Sequence, residues 1–200
     1  MDADLIRRQI DQSLITTDKL LAGAKFIDES SKECGEYLDS RYFPFYYHLG
    51  KQIEPKTVCQ IGSKIGLVGA CFLRSCKTVE SWLAMDHERG HVANITTSNL
   101  KLNTKYKNNI LPGPIGFMGL NDSMLEIEST FQYDLCFLSE DFGKERYLKH
   151  LNFLWKILNQ KGLLVADYIN SHDVFHEFCR VKNREPIIFE TRYGVGIIER

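Results

Sequence analysis

No uncharged apolar run in this 200-residue sequence approaches the ~20 residues that a helix needs to cross a bilayer. Runs such as Ile65 to Leu73 and Gly162 to Ala166 fall far short, so no membrane span is expected. An excess of either charge is missing too: 25 Lys and Arg stand against 26 Asp and Glu. No overall field therefore recruits nucleic acid or an anionic membrane surface. Met1-Asp2-Ala3-Asp4 puts acids where a secretory signal would carry lysines, which leads us to expect a cytoplasmic protein. The six cysteines include no Cys-x-x-Cys pair and read as reduced packing residues.

What is present is a composition ordinary for a folded domain, with 44% hydrophobic, 26% charged and 12% aromatic residues. Disorder, collagen and coiled coil are excluded for the whole. The character of the chain changes near residue 55, and we expect an N-terminal helical cap over residues 1–50 and an α/β domain over 51–200. In the cap, Leu5, Ile6, Ile10 and Leu14, then Leu20, Leu21 and Ala24, recur at helical spacing and predict two amphipathic helices. Asp39-Ser40 is placed to cap a third, through the aromatic cluster Tyr42 to Tyr47. After Pro55, short apolar runs alternate with helical ones, as in βαβ units. Strands are expected at 57–61, 79–85, 115–120, 134–138, 163–166, 187–190 and 194–198, with a clear helix at 144–159. Only Thr191-Arg192-Tyr193 separates the last two strands, so they form an antiparallel hairpin.

The first strand runs into Gly62-Ser63-Lys64-Ile65-Gly66 and then a helix. Glycines in such a turn let the backbone approach a ligand at a helix N-terminus. Alone, this Gly-x-x-x-Gly is equally a plain tight turn. Asp86, with His87 after it, follows Gly66 by twenty residues at the end of the second apolar run. An acid there is placed to accept two ribose hydroxyls. Asn121-Asp122-Ser123 follow the third strand, where polar side chains meet an adenine amino group.

With these residues in view, the sequence resembles the class I S-adenosylmethionine-dependent methyltransferases, most closely their small O-methyltransferase-like branch. The strongest part is Tyr133-Asp134-Leu135-Cys136-Phe137-Leu138, then Leu158-Asn159-Gln160-Lys161-Gly162 leading into Leu163-Leu164-Val165-Ala166-Asp167. The resemblance implies a Rossmann-like methyltransferase fold, a mostly parallel seven-stranded sheet closed by a C-terminal antiparallel hairpin, with an N-terminal helical extension. It implies S-adenosylmethionine as cofactor, a small-molecule acceptor methylated at oxygen, and leaves a homodimer open. Its cofactor-binding positions fall on Gln60, Gly62, Ser63, Gly66, Asp86, His87, Asn121, Asp122, Ser123 and Ser139. Family members usually carry an acid at Gln60 and often a glycine at Lys64. Metal-dependent relatives ligate through positions held here by Ser139 and Asp167-Tyr168, so two of three ligands are lost and no metal is expected.

Methyl transfer from a sulfonium needs alignment more than covalent help. A general base, where used, comes from the loops after the fourth and fifth strands, with Asp141 ranked ahead of Glu140, Asp167, Tyr168 and His172. His87/His91 and His172/His176 have zinc-like i, i+4 spacing but lack the rest of a site. Two rivals stay open. One is a non-catalytic relative that keeps the fold, motivated by Gln60, Lys64 and Ser139. The other is a nicotinamide-dependent oxidoreductase, disfavoured by Gly-x-x-x-Gly and the terminal hairpin.

Overall fold

Thr57–Ile61 is buried on both faces, the pattern of a strand covered from two sides, and it lies in the interior of the sheet. The computed structural model describes residues 1–27, 35–87, 91–102, 115–120, 125, 131–141 and 143–200. Helices α1 (Ala3–Asp11), α2 (Thr17–Leu20), α3 (Gly35–Leu38) and α4 (Tyr42–Gln52) precede β1 (Thr57–Ile61), α5 (Leu67–Ser75), β2 (Ser81–Asp86), α6 (His91–Leu102) and β3 (Ile115–Gly119). There follow β4 (Tyr133–Leu138), α7 (Lys144–Ile157), β5 (Leu158–Asp167), α8 (Val174–Val181), β6 (Ile187–Phe189) and β7 (Val195–Glu199).

The strands lie in the order β3-β2-β1-β4-β5-β7-β6. Pairing is parallel from β3 across to β5, whereas β7 runs antiparallel to both β5 and β6. The sheet is therefore mixed. Strand order reverses between β1 and β4, and at such a switch point a crevice opens beyond the carboxyl ends of the strands. Successive side chains face opposite layers. Val58, Leu135 and Val165 join the core beneath α4 and α5, while Cys59, Cys136 and Leu164 join the core beneath α7 and α8. The described cysteines Cys59, Cys71, Cys76, Cys136 and Cys179 are free and buried.

Three expectations need correction. The helix expected over 144–159 ends at Ile157, and the strand expected from 163 starts at the next residue, Leu158. Fully buried Leu158 anchors that start, Lys161 takes a left-handed φ of +64°, and its N–H donates to the Arg200 carbonyl at 3.0 Å. In the N-terminal segment the second helix is a single turn, and Leu14, outside both helices, is 88% exposed. Asp39 does not cap α4, whose N-cap is Arg41. Its carboxylate instead accepts the backbone N–H groups of Arg41 (2.8 Å) and Arg192 (2.5 Å), fastening the start of α4 to the β6–β7 turn.

Helix α4 packs into the core of the sheet. Phe45, Tyr46 and Leu49 are fully buried and share a core with Phe72, Trp82 and Phe137. Pro44 is tolerated because it sits in the first turn, where its missing N–H has no helical acceptor.

Candidate functional site

The turn leaving β1 has three residues in the left-handed region: Gly62 (φ +76°), Lys64 (φ +46°) and Gly66 (φ +79°). The Gly62 N–H donates to the Met85 carbonyl at 3.0 Å, and the Gly66 N–H to the Ser63 carbonyl at 2.7 Å. A Cβ on Gly62 would lie 2.5 Å from Glu140 Cβ, and one on Gly66 would lie 2.9 Å from the Thr96 carbonyl oxygen. The glycines thus admit the β4 loop and helix α6. Gly62 also lines the cleft described below, whereas Gly66 does not.

Asp86 ends β2 and is almost fully buried. Its Oδ2 accepts the Lys64 backbone N–H at 2.6 Å and the Ser63 hydroxyl at 3.4 Å, so the carboxylate holds the turn in place. Ser139, beyond β4, donates its N–H to the Ile61 carbonyl at 2.9 Å. Beneath it, fully buried Gln60 donates through Nε2 to Ser139 Oγ at 3.3 Å. A cleft of about 280 Å³ opens over these strand ends, lined by Gly62, Ser63, Lys64, Asp86, Ser139 and Glu140. Tyr42 and Phe43 of α4 and Glu36 of α3 form another wall, with Ile65, Leu67 and Val68 as apolar surface.

Other residues singled out in the sequence stand elsewhere. Gln60 and Gly66 are not part of the cleft lining. The His87 ring lies 5.7 Å from that of His150 and is likewise not part of the lining. Asn121, Asp122 and Ser123 lie outside the described residues. Asp141 is on an exposed loop, where Oδ1 accepts the Gly143 N–H at 3.0 Å and stands 3.7 Å from Nε2 of the buried His172 ring.

Two clusters escaped sequence reasoning. Asp167, at the end of β5, is fully buried and accepts the hydroxyls of Tyr42, at 2.5 Å, and Tyr46. Burial pushes this carboxyl up to about 7, although both tyrosine hydrogen bonds and Lys64 pull it down. Burial likewise lifts both phenols well above the ordinary tyrosine range, and Asp167 adds to the shift. The second cluster joins Lys64 to Glu36 and to Tyr168 just beyond β5. Tyr42 and Tyr46 carried a faint signal, one helical turn apart. Asp167 stood among the base candidates, but nothing in the sequence tied it to these tyrosines more than 120 residues away. Among the described residues, no three His, Cys, Asp or Glu side chains are grouped to hold a metal ion.

The sequence matches no protein-family model and no curated protein. Its fold does have counterparts. It is similar to a methyltransferase from Geobacter sulfurreducens, with a TM-score of 0.68 and 18% identity over 100% of this chain and 96% of that one. The O-methyltransferase TomG from Streptomyces achromogenes, involved in tomaymycin synthesis and solved in complex with SAM, gives a TM-score of 0.69 at 13% identity, over 100% of this chain and 98% of that one. SAH-bound Podospora anserina methyltransferase PaMTH1 gives 0.66 at 11% identity, over 98% and 94%. The chain thus has the fold of the class I S-adenosylmethionine-dependent methyltransferases along its whole length.

Proposed function

We propose that this protein is an S-adenosylmethionine-dependent methyltransferase acting on a small-molecule acceptor at oxygen. One observation carries the reading: the turn after β1, Asp86 at the end of β2 and Ser139-Glu140 after β4 converge on a single cleft at the switch point of the sheet. The residues suit the cofactor. Asp86 is placed for ribose hydroxyls, the Gly62-Ser63 turn and Ser139 for the middle of the molecule, and Ile65, Leu67 and Val68 for apolar contact. Asn121, Asp122 and Ser123 are assigned to the adenine, while Gln60 holds Ser139 from behind the lining and Gly66 and His87 flank the turn and Asp86 in the chain.

When bound, S-adenosylmethionine supplies an electrophilic methyl group. The chain's own task is to hold and orient, because alignment alone accounts for much of such a reaction. Tyr42 and Phe43 wall the cleft opposite the turn after β1. Asp141 beside His172 is the proposed base, on the loop that also carries Glu140.

Isothermal titration with S-adenosylmethionine, S-adenosylhomocysteine and NAD tests the reading. Both sulfur compounds bind and NAD does not. The Asp86→Ala variant weakens S-adenosylhomocysteine by about 1.5–3 kcal/mol, the worth of hydrogen bonds to a charged group. Tight binding of NAD alone, or unchanged affinity in a folded Asp86→Ala protein, overturns it.

A further inference from the structure

Lys64 (φ +46°) and Tyr168 (φ +60°) are ordinary side chains held in the left-handed region, and they meet at Glu36. The Lys64 ammonium lies 2.7 Å from Glu36 Oε1 and donates to the Tyr168 hydroxyl at 2.9 Å. Tyr168 in turn donates to the same Glu36 oxygen. A left-handed conformation is disfavoured for a residue with a Cβ. Such strain persists only where the surroundings enforce it, and it collects at ligand sites. Glycine would sit at position 64 without that cost, so what lysine adds there is its ammonium.

The main chain of Lys64 is clamped from both sides, since its N–H donates to Asp86 at 2.6 Å and its carbonyl accepts the Thr96 hydroxyl at 2.5 Å. Asp86 lies on the β2 side of β1, whereas Tyr168 follows β5 on the other side. Lys64 thus carries a fixed cation to the end of the cleft opposite the ribose-binding acid. Two of its three ammonium protons serve Glu36 and Tyr168, and the side chain is still 46% exposed. Burial opposes the charge, but Glu36, then Glu140 and Asp167, hold the ammonium above the ordinary lysine value. A bare anion brought to this end would be repelled by those acids. A zwitterion would not, because it offers them its own ammonium while its carboxylate meets Lys64.

We propose that Lys64, oriented by Glu36 and Tyr168, holds the carboxylate of the ligand's α-amino-acid end. The inference rests on reading the cleft as an S-adenosylmethionine site. It is tested by titrating wild type and Lys64→Gly with S-adenosylhomocysteine and with 5′-methylthioadenosine, which keeps the nucleoside thioether but lacks the amino acid. Glycine suits the backbone angle and leaves the N–H to Asp86 intact. Lys64→Asn, a neutral residue that tolerates the same angle, is the second variant, and thermal melts confirm that both fold.

Wild type prefers S-adenosylhomocysteine over 5′-methylthioadenosine at least tenfold. Both variants lose at least tenfold for S-adenosylhomocysteine and stay within twofold for 5′-methylthioadenosine. Glu36→Gln narrows the preference without moving 5′-methylthioadenosine. Equal affinity of the two ligands for wild type, or undiminished S-adenosylhomocysteine binding in the variants, overturns the role of Lys64 and leaves the cofactor site standing. If neither ligand binds wild type, the cofactor reading falls and this inference with it.

Discussion

At Gly66 a side chain has no place: the φ of +79° disfavours any Cβ, and the new atom would stand 2.9 Å from the Thr96 carbonyl oxygen and 3.2 Å from Thr96 Cα. The obstacle is backbone of a packed helix, which does not yield as a flexible side chain does. Gly66→Ala is therefore expected to cost more than the about 1–2 kcal/mol of the left-handed conformation alone, read as a lowered urea midpoint. Gly62→Val meets Glu140 in the same way and adds a β-branched side chain at a φ of +76°. Its loss of ligand binding should come with loss of stability. A Gly62→Val protein as stable as wild type but unable to bind would show instead that the position serves the ligand alone. Between these glycines, Lys64 bears the strain that a glycine would avoid.

At the scale of the element, α4 decides whether the first fifty residues are an appendage. Tyr42, Phe43, Phe45, Tyr46 and Leu49 are all buried, and they cover the face of the sheet that carries Trp82 and Phe137. Truncating one large core aromatic to alanine typically costs about 3–5 kcal/mol, and losing α4 removes several together, against a total stability of about 5–15 kcal/mol. A chain starting at Lys51 is thus expected to show no cooperative melt by circular dichroism, whereas a stably folded 51–200 fragment would make the segment a true appendage. The strands were legible because apolar runs between turn signals depend on local sequence alone. Asp86 was legible because its spacing from the glycine turn is a chain-length property of one βα unit. The Tyr42–Asp167 and Lys64–Glu36–Tyr168 clusters were not, since they join residues about 28 to 132 positions apart whose meeting only the assembled fold decides. The β5 start was missed because Leu158-Asn159-Gln160-Lys161-Gly162 has turn-forming composition, and what makes it a strand is pairing with Tyr133 and hydrogen bonding to Arg200.

Over the whole molecule, two buried groups couple stability to pH with opposite signs. His48 is lowered from 6.5 to about 4 by burial and, secondarily, by the charge of Lys51. Between these values the unfolded chain takes up a proton that the folded one refuses, so this group's contribution is lost as pH falls from about 6.5 to about 4. Asp167 is raised from 3.8 to about 7, chiefly by burial. Here the folded chain holds a proton that the unfolded one has released, so stability is present at low pH and lost as pH rises towards about 7. Each slope is at most about 1.4 kcal/mol per pH unit, the value for one proton. Where the windows overlap, between about pH 4 and pH 6.5, the two oppose each other, and wild-type urea midpoints should change little from these groups. Asp167→Asn keeps a neutral acceptor for one of the two tyrosine hydroxyls, offers an N–H to the other, and leaves His48 alone, so its stability should fall steadily on acidification through this range. His48→Gln leaves Asp167 alone, and its stability should rise on acidification from pH 7 to pH 4. Urea titrations of the three proteins at half-unit intervals decide the matter. Parallel pH profiles for all three would mean that neither group titrates away from its ordinary value in the folded protein.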